Sequence, residues 1–190
     1  MSLSVRQCLA AGLFLGSVSL PVPAVSQEMA TSVDVQFSLF FRVLTYDRNL
    51  SHWAPHGVVI GIVFQPQVRA SVLAKNAALR QQVPSEAGFT VRMVPIALAS
   101  IADVAEAAAL AGCNALYVTP MRAVDLGEIA AAGRDHGMLT LTGVAEYVRA
   151  GIAVGIGVRD DRPEILVNLA AARAAGADFS SQLLLLARVM

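Results

Sequence analysis

The sequence predicts an α/β fold: a single-domain α/β/α sandwich with a mostly parallel sheet, a C-terminal antiparallel hairpin and terminal helices. Three observations predict it. Short runs rich in Val and Ile alternate with alanine-rich helical stretches through the middle of the chain, the pattern of a parallel sheet covered on both faces. Two late apolar runs, 152–158 and 164–167, are joined by only Arg159-Asp160-Asp161-Arg162-Pro163, a connector that suits an antiparallel hairpin. No repeat, low-complexity linker or second domain interrupts the 190 residues, which suffice for one sizeable core.

The amino terminus reads as an address. Arg6 supplies a positive start, Cys8 to Leu20 a short apolar run, Pro21 and Pro23 a break, and Ala24-Val25-Ser26 the small residues that a signal peptidase accepts. Residues 1–26 are therefore expected to be a cleaved signal peptide and 27–190 the mature α/β domain; an uncleaved anchor is the alternative. The apolar run is shorter than the roughly 20 residues that span a bilayer. Cleavage removes Cys8 and leaves Cys113 as the single cysteine, so the mature chain has no internal disulfide. Cys113 then reads as a buried small apolar residue or as an intermolecular disulfide partner in a homodimer.

After the joint at 27–31, Val33 to Leu44 places apolar residues at 33, 37, 40, 41 and 44, one helical face that Val35, Leu39 and Val43 widen. Asp47-Arg48 reads as a solvated turn, and 52–57 as a loop. Val58 to Phe64, bounded by Gly57 and Pro66, is a buried strand. Val68 to Gln82 is a helix with apolar positions 68, 72, 73 and 79, and 89–96 a second strand. Ser100 can cap a helix from Ile101 to Ala111, closed by Gly112. Strands at 115–118 and 138–141 flank a helix at 126–132, and 144–149 is a helical turn or two.

The C-terminal end is the best-defined stretch. Ile165 to Val167 forms a buried strand, Asn168 offers its side-chain oxygen as an N-cap, and an alanine-rich helix ends at Gly176. Asp178 or Ser180 caps a second helix, with Leu183 to Leu186 as its expected buried surface.

Composition narrows the function. Lys+Arg and Asp+Glu each total 14, so no excess positive charge favours nucleic acid. Gly155-Ile-Gly157 lacks the third glycine and the following helix of a dinucleotide loop, and suits close packing in a strand instead. His52 and His56 have Pro55 between them, which spoils a helical metal pair. No Gly-x-Ser-x-Gly elbow is present. No catalytic constellation, metal set or cofactor loop emerges, so an enzyme is not expected. Trp53 combines apolar area with a polar N–H and is a candidate interface anchor, or else covers the core edge.

The stretch Val167-Asn168 through Gly176, continuing Phe179-Ser180-Ser181 into the leucine helix, resembles the YfiR family of small exported bacterial regulators. Cys113-Asn114-Ala-Leu-Tyr-Val118 and the strand after Gly151 support the resemblance. It marks Asn168, Gly176, Ser180 and Ser181 as a structural family motif. It implies a periplasmic repressor that binds the periplasmic domain of an inner-membrane diguanylate cyclase, lowering cyclic di-GMP and biofilm formation. It also implies paired cysteines, one matching Cys113; the partner position falls near Gly61, so the bridge is absent here. The alternative is a periplasmic small-ligand-binding module, with its crevice at the strand ends after Phe64, Ile96 and Thr119.

Overall fold

The computed structural model describes residues 29–84, 87–99 and 101–190; the expected signal peptide and the Ser100 cap lie outside them. Among these described residues, seven strands form one sheet: β1 (Val58–Phe64), β2 (Val91–Ala97), β3 (Ala115–Val118), β4 (Leu139–Thr142), β5 (Val154–Arg159), β6 (Arg162–Val167) and β7 (Arg188–Val189). Their order is β2-β1-β3-β4-β5-β6-β7. Neighbours are parallel from β2 through β5, β5 and β6 are antiparallel, and β7 returns parallel to β6. The predicted hairpin is therefore present. Asp160 and Asp161 form its two-residue turn with φ of 49° and 57°, and the flanking Arg159 and Arg162 pair directly. Two successive positive φ angles match the right-handed twist of the strands, and Asp tolerates them better than most residues.

Among the described residues, eight helices accompany the sheet: α1 (Val33–Thr45), α2 (Leu50–Trp53), α3 (Arg69–Ala78), α4 (Ile101–Leu110), α5 (Leu126–Asp135), α6 (Ala145–Arg149), α7 (Leu169–Ala174) and α8 (Ser181–Leu186). One core joins α1, α3, α7 and α8 to Ile60, Ile62, Tyr117, Leu141, Val154 and Val167. On the opposite face, Val104 and Ala108 of α4, Ile129 and Ala130 of α5 and Tyr147 of α6 pack on Val63, Leu116 and Val118. Strand residues thus alternate between two apolar layers, which explains why the runs read as continuously apolar. Gly155 is required by this packing: a Cβ there would lie 2.3 Å from Val148 Cγ2.

Several expectations change. The segment at 52–57 is no simple loop, because Leu50–Trp53 forms a helical turn. On α1, Val43 is buried but Val35 is 38% exposed. On α3 the inward face is Ser71, Ala74 and Ala78, while Leu73 and Leu79 face outward. Small side chains let α3 approach the sheet closely, and hydrophobicity alone selected the wrong face. On α8 only Leu183 is buried; Leu185 is 87% and Leu186 68% exposed. The helix ends after six residues because the chain turns back to add β7, and so short a helix can point few side chains inward.

The C-terminal motif caps its helices as its residue types suggest. Asn168 Oδ1 accepts from Ala171 N at 3.0 Å, Gly176 follows α7 with φ of 90°, and Ser180 Oγ accepts from Leu183 N. Replacing Asn168 with alanine removes that cap and should lower stability by about 1 kcal/mol in a urea titration; an unchanged midpoint would mean water serves the helix end equally well.

Candidate functional site

In an open parallel sheet, the crevice at the carboxyl ends of the strands, where strand order reverses, is the usual place for a ligand. Here that point lies between β1 and β3. Its polar groups are joined to one another. Ser71 Oγ and Thr119 Oγ1 are 2.6 Å apart, Thr119 donates to Val63 O, and Gln65 N donates to Ser71 Oγ. The Gln65 side chain bridges the gap, accepting from Arg122 N at 2.8 Å and donating to Arg122 O at 3.0 Å.

α1 closes the crevice from above. Its Gln36 is fully buried, donates to Thr31 O at 2.8 Å and accepts from Tyr117 Oη at 2.7 Å. Gly143 makes room for it, since a Cβ there would stand 2.1 Å from Gln36 Oε1. Phe37 and Phe40 pack edge-on against the Tyr117 ring, with centroids 5.0 and 6.0 Å away. Burial pushes the Tyr117 phenol far up, so it stays a neutral donor. Beside this sealed centre, an apolar groove of about 380 Å³ runs between α1 and α3, with Met29, Val33, Leu73 and Pro120 among its walls.

A second polar centre was not legible in the sequence. Asp47 is 6% exposed, and its carboxylate accepts from Asn49 N at 2.9 Å, Trp53 Nε1 at 2.8 Å and Asp178 N at 2.9 Å. The solvated-turn expectation is thus corrected for Asp47. Arg48 N donates to Asp178 O, Asn49 Nδ2 to Gly176 O and Ser180 N to Tyr46 O, with an Arg48–Asp178 ion pair at 2.8 Å outside. The motif residues Gly176 and Ser180 therefore fasten the C-terminal segment to the end of α1, whereas Ser181 only opens α8. Arg48 holds the Asp178 carboxyl below its ordinary value. The pair's small contribution is present at neutral pH and fades as pH falls through the carboxylate range.

Trp53 sits half-buried against the main core with its N–H committed to Asp47, so the indole is part of this clasp. His52 and His56 are not brought together with other ligands: no group of three His, Cys, Asp or Glu suited to a metal occurs among the described residues.

Cys113 is buried and its thiol is pushed up by desolvation, with Arg92 opposing. A dimer-forming disulfide needs this sulfur at the surface. Instead it faces β1: a Cβ added at Gly61 would lie 3.1 Å from Cys113 Sγ. Gly61→Cys should therefore close an internal bridge under oxidising conditions, after small shifts of the Ile96 and Leu116 side-chain tips. We expect loss of both thiols by mass spectrometry and a gain of about 2 kcal/mol. Persistence of two titratable thiols would mean the strands do not present these positions to each other.

Residues 63–188 match the YfiR/HmsC-like family. The chain belongs to the YfiR/HmsC-like family. The YfiR/HmsC-like match runs from the end of β1 to the start of β7; it takes in Gln65, Ser71, Thr119 and Arg122 of the crevice and Gly176, Asp178 and Ser180 of the clasp, whereas Gln36, Asp47, Asn49 and Trp53 precede it. Family membership places the chain among periplasmic regulators of cyclic di-GMP signalling in general terms. Among curated proteins, none matches it significantly in sequence.

Solved structures share the fold of this YfiR/HmsC-like chain. A ligand-free, open substrate-binding protein with adhesive properties from Clostridium difficile aligns with a TM-score of 0.53 and 16% identity, over 84% of this chain and 60% of its own. An ABC domain in complex with L-Trp from Streptococcus pneumoniae gives 0.56 and 12%, over 79% and 61%. A conserved domain protein from Vibrio cholerae gives 0.55 and 15%, over 83% and 59%. The chain thus spans about 60% of the length of these structures. At such identities the likeness is one of fold.

Proposed function

We propose that this chain is a periplasmic repressor that binds the periplasmic domain of a membrane-anchored diguanylate cyclase and holds the cyclase inactive. Membership of the YfiR/HmsC-like family supports a regulator. The observation that carries contact over chemistry is the crevice itself. Gln36 with Tyr117, Ser71 with Thr119, and Gln65 with Arg122 satisfy one another where a ligand's polar groups would otherwise be recognised. Export by the leader at 1–26 delivers the repressor to its partner's side of the membrane. Among the described residues no helix is long and apolar enough to cross a membrane.

Repression by contact requires differential affinity for two states of the cyclase. Moving the partner from 99:1 active to 1:99 takes roughly 10⁴-fold tighter binding to the inactive state, about 5.5 kcal/mol. Two measurements test this. Tagged chain isolated from the periplasm should retain a diguanylate cyclase from detergent-solubilised inner membrane, and deletion of its gene should raise cellular cyclic di-GMP. Unchanged cyclic di-GMP together with recovery of no cyclase would reject the proposal.

The groove between α1 and α3 favours a second reading, a binding module for a small apolar ligand, since it lies at the carboxyl end of the sheet. Thermal-shift screening of the exported chain separates the two. A ligand that raises the midpoint in wild type but not in Leu73→Asp would support the module.

A further inference from the structure

The groove between α1 and α3 is walled by Val33, Ala70, Ala74, Ala77 and Pro120 and encloses about 380 Å³. Leu73 stands on its lip, 57% exposed. Two cations flank that leucine. Arg69, Leu73 and Asn76 follow one another at helical spacing along the exposed side of α3. Arg80 continues the stripe just past the helix end, where its N donates to Ala77 O. Arg69 and Arg80 thus lie about 16 Å apart along the helix axis, three turns, with the leucine between them. Both are exposed, and neither has an ion-pair partner or a side-chain hydrogen bond among the described residues. Asp34, next to Val33 on α1, is engaged elsewhere, accepting from Gln81 Nε2 at 2.6 Å.

We propose that this groove is the surface that docks the cyclase, and that its occupant is an amphipathic helix of the cyclase's periplasmic domain with an apolar stripe flanked by carboxylates. The proposal rests on the repressor reading above and names the surface and the chemistry that reading requires. The helix lies along α3 with its apolar side chains beside Leu73 and over the alanines, whose small size lets it approach closely. Its acids meet Arg69 at one end of the stripe and Arg80 at the other. Charge chooses this occupant over the others the groove could take. A second copy seated about a twofold axis would set these arginines against one another. Residues 1–27 of the chain itself hold no Asp or Glu to answer them. An anionic bilayer has the charge, but a face that enters a bilayer presents protruding apolar side chains. Here Ala74 is recessed, 1% exposed, behind Leu73.

The test compares tagged wild-type and variant chains, isolated from the periplasm, for the diguanylate cyclase each retains from detergent-solubilised inner membrane, measured by mass spectrometry. Leu73→Asp, and Arg69→Glu combined with Arg80→Glu, should each retain at least about tenfold less cyclase, with the melting temperature unchanged. Arg69→Lys combined with Arg80→Lys keeps both charges and should retain most of it. Raising salt from about 0.1 M to about 0.5 M should weaken retention by wild type and hardly affect Arg69→Ala combined with Arg80→Ala. Retention by Leu73→Asp and by the double Glu variant equal to that of wild type overturns this surface and leaves the repressor reading standing. A wild type that retains no cyclase also overturns the proposal; the repressor reading falls with it only if deletion of the gene leaves cyclic di-GMP unchanged. Binding of wild type to phosphatidylglycerol vesicles, abolished in both variants, would assign the groove to the membrane and overturn the proposal as well.

Discussion

Replacing Asp47 with alanine is expected to lower unfolding stability by about 4 kcal/mol, because three N–H groups lose a charged acceptor inside the clasp, each such bond contributing roughly 1.5–3 kcal/mol. The donors belong to Asn49, Trp53 and Asp178, so the loss falls on three segments at once. Water can replace part of the carboxylate at the rim, which holds the total below a simple sum. Asp47→Asn should sit between, near 2 kcal/mol, since its oxygen still accepts while its NH₂ meets a donor. Trp53 is the single tryptophan, so its fluorescence reports the clasp directly in urea unfolding. An alanine effect below about 1 kcal/mol would show that the clasp is dispensable. In that case Arg48 N to Asp178 O and Ser180 N to Tyr46 O would suffice to hold the C-terminal segment.

Tyr117→Ala should cost a similar amount, about 4 kcal/mol, for a different reason. The ring is fully buried against Phe37 and Phe40, and deleting it opens a cavity in the layer between α1 and the sheet. It also leaves Gln36 Oε1 without its donor. Tyr117→Phe separates these effects. It keeps the ring and orphans Gln36, so about 1–2 kcal/mol is expected from the hydrogen bond alone. The pair Tyr117→Phe with Gln36→Leu should then recover part of that loss, as removing both partners of a buried bond is milder than removing one. Equal effects of Tyr117→Phe and Tyr117→Ala in chemical denaturation would contradict the packing argument.

The two centres differ in how legible they were. Asn168, Gly176 and Ser180 announce themselves because capping is a local matter, set by residue types three or four positions apart. Asp47 could not. Its partner Asp178 lies 131 residues away, and an Asp-Arg pair in a turn is usually solvated. Gln36 was hidden in a different way, as a polar residue on an apolar helix face whose partner Tyr117 is 81 residues distant. Gly61 and Gly143 carried a weak signal, since glycine in or beside a strand suggests close approach, but only the fold shows that Cys113 and Gln36 are what approach.

The sequence by itself determined the alternation of strands and helices, the hairpin turn and the caps of the last two helices. These follow from periodicity and from conformational preferences acting within a few residues. Tertiary structure alone decided which face of α3 turns inward, that β7 completes the sheet, that the leucines of α8 remain outside, and that Asp47 is buried. Each depends on which surfaces meet after the chain has folded back. A short-range pattern can specify that a helix forms, but the neighbour that buries one side of it is selected by contacts between distant segments.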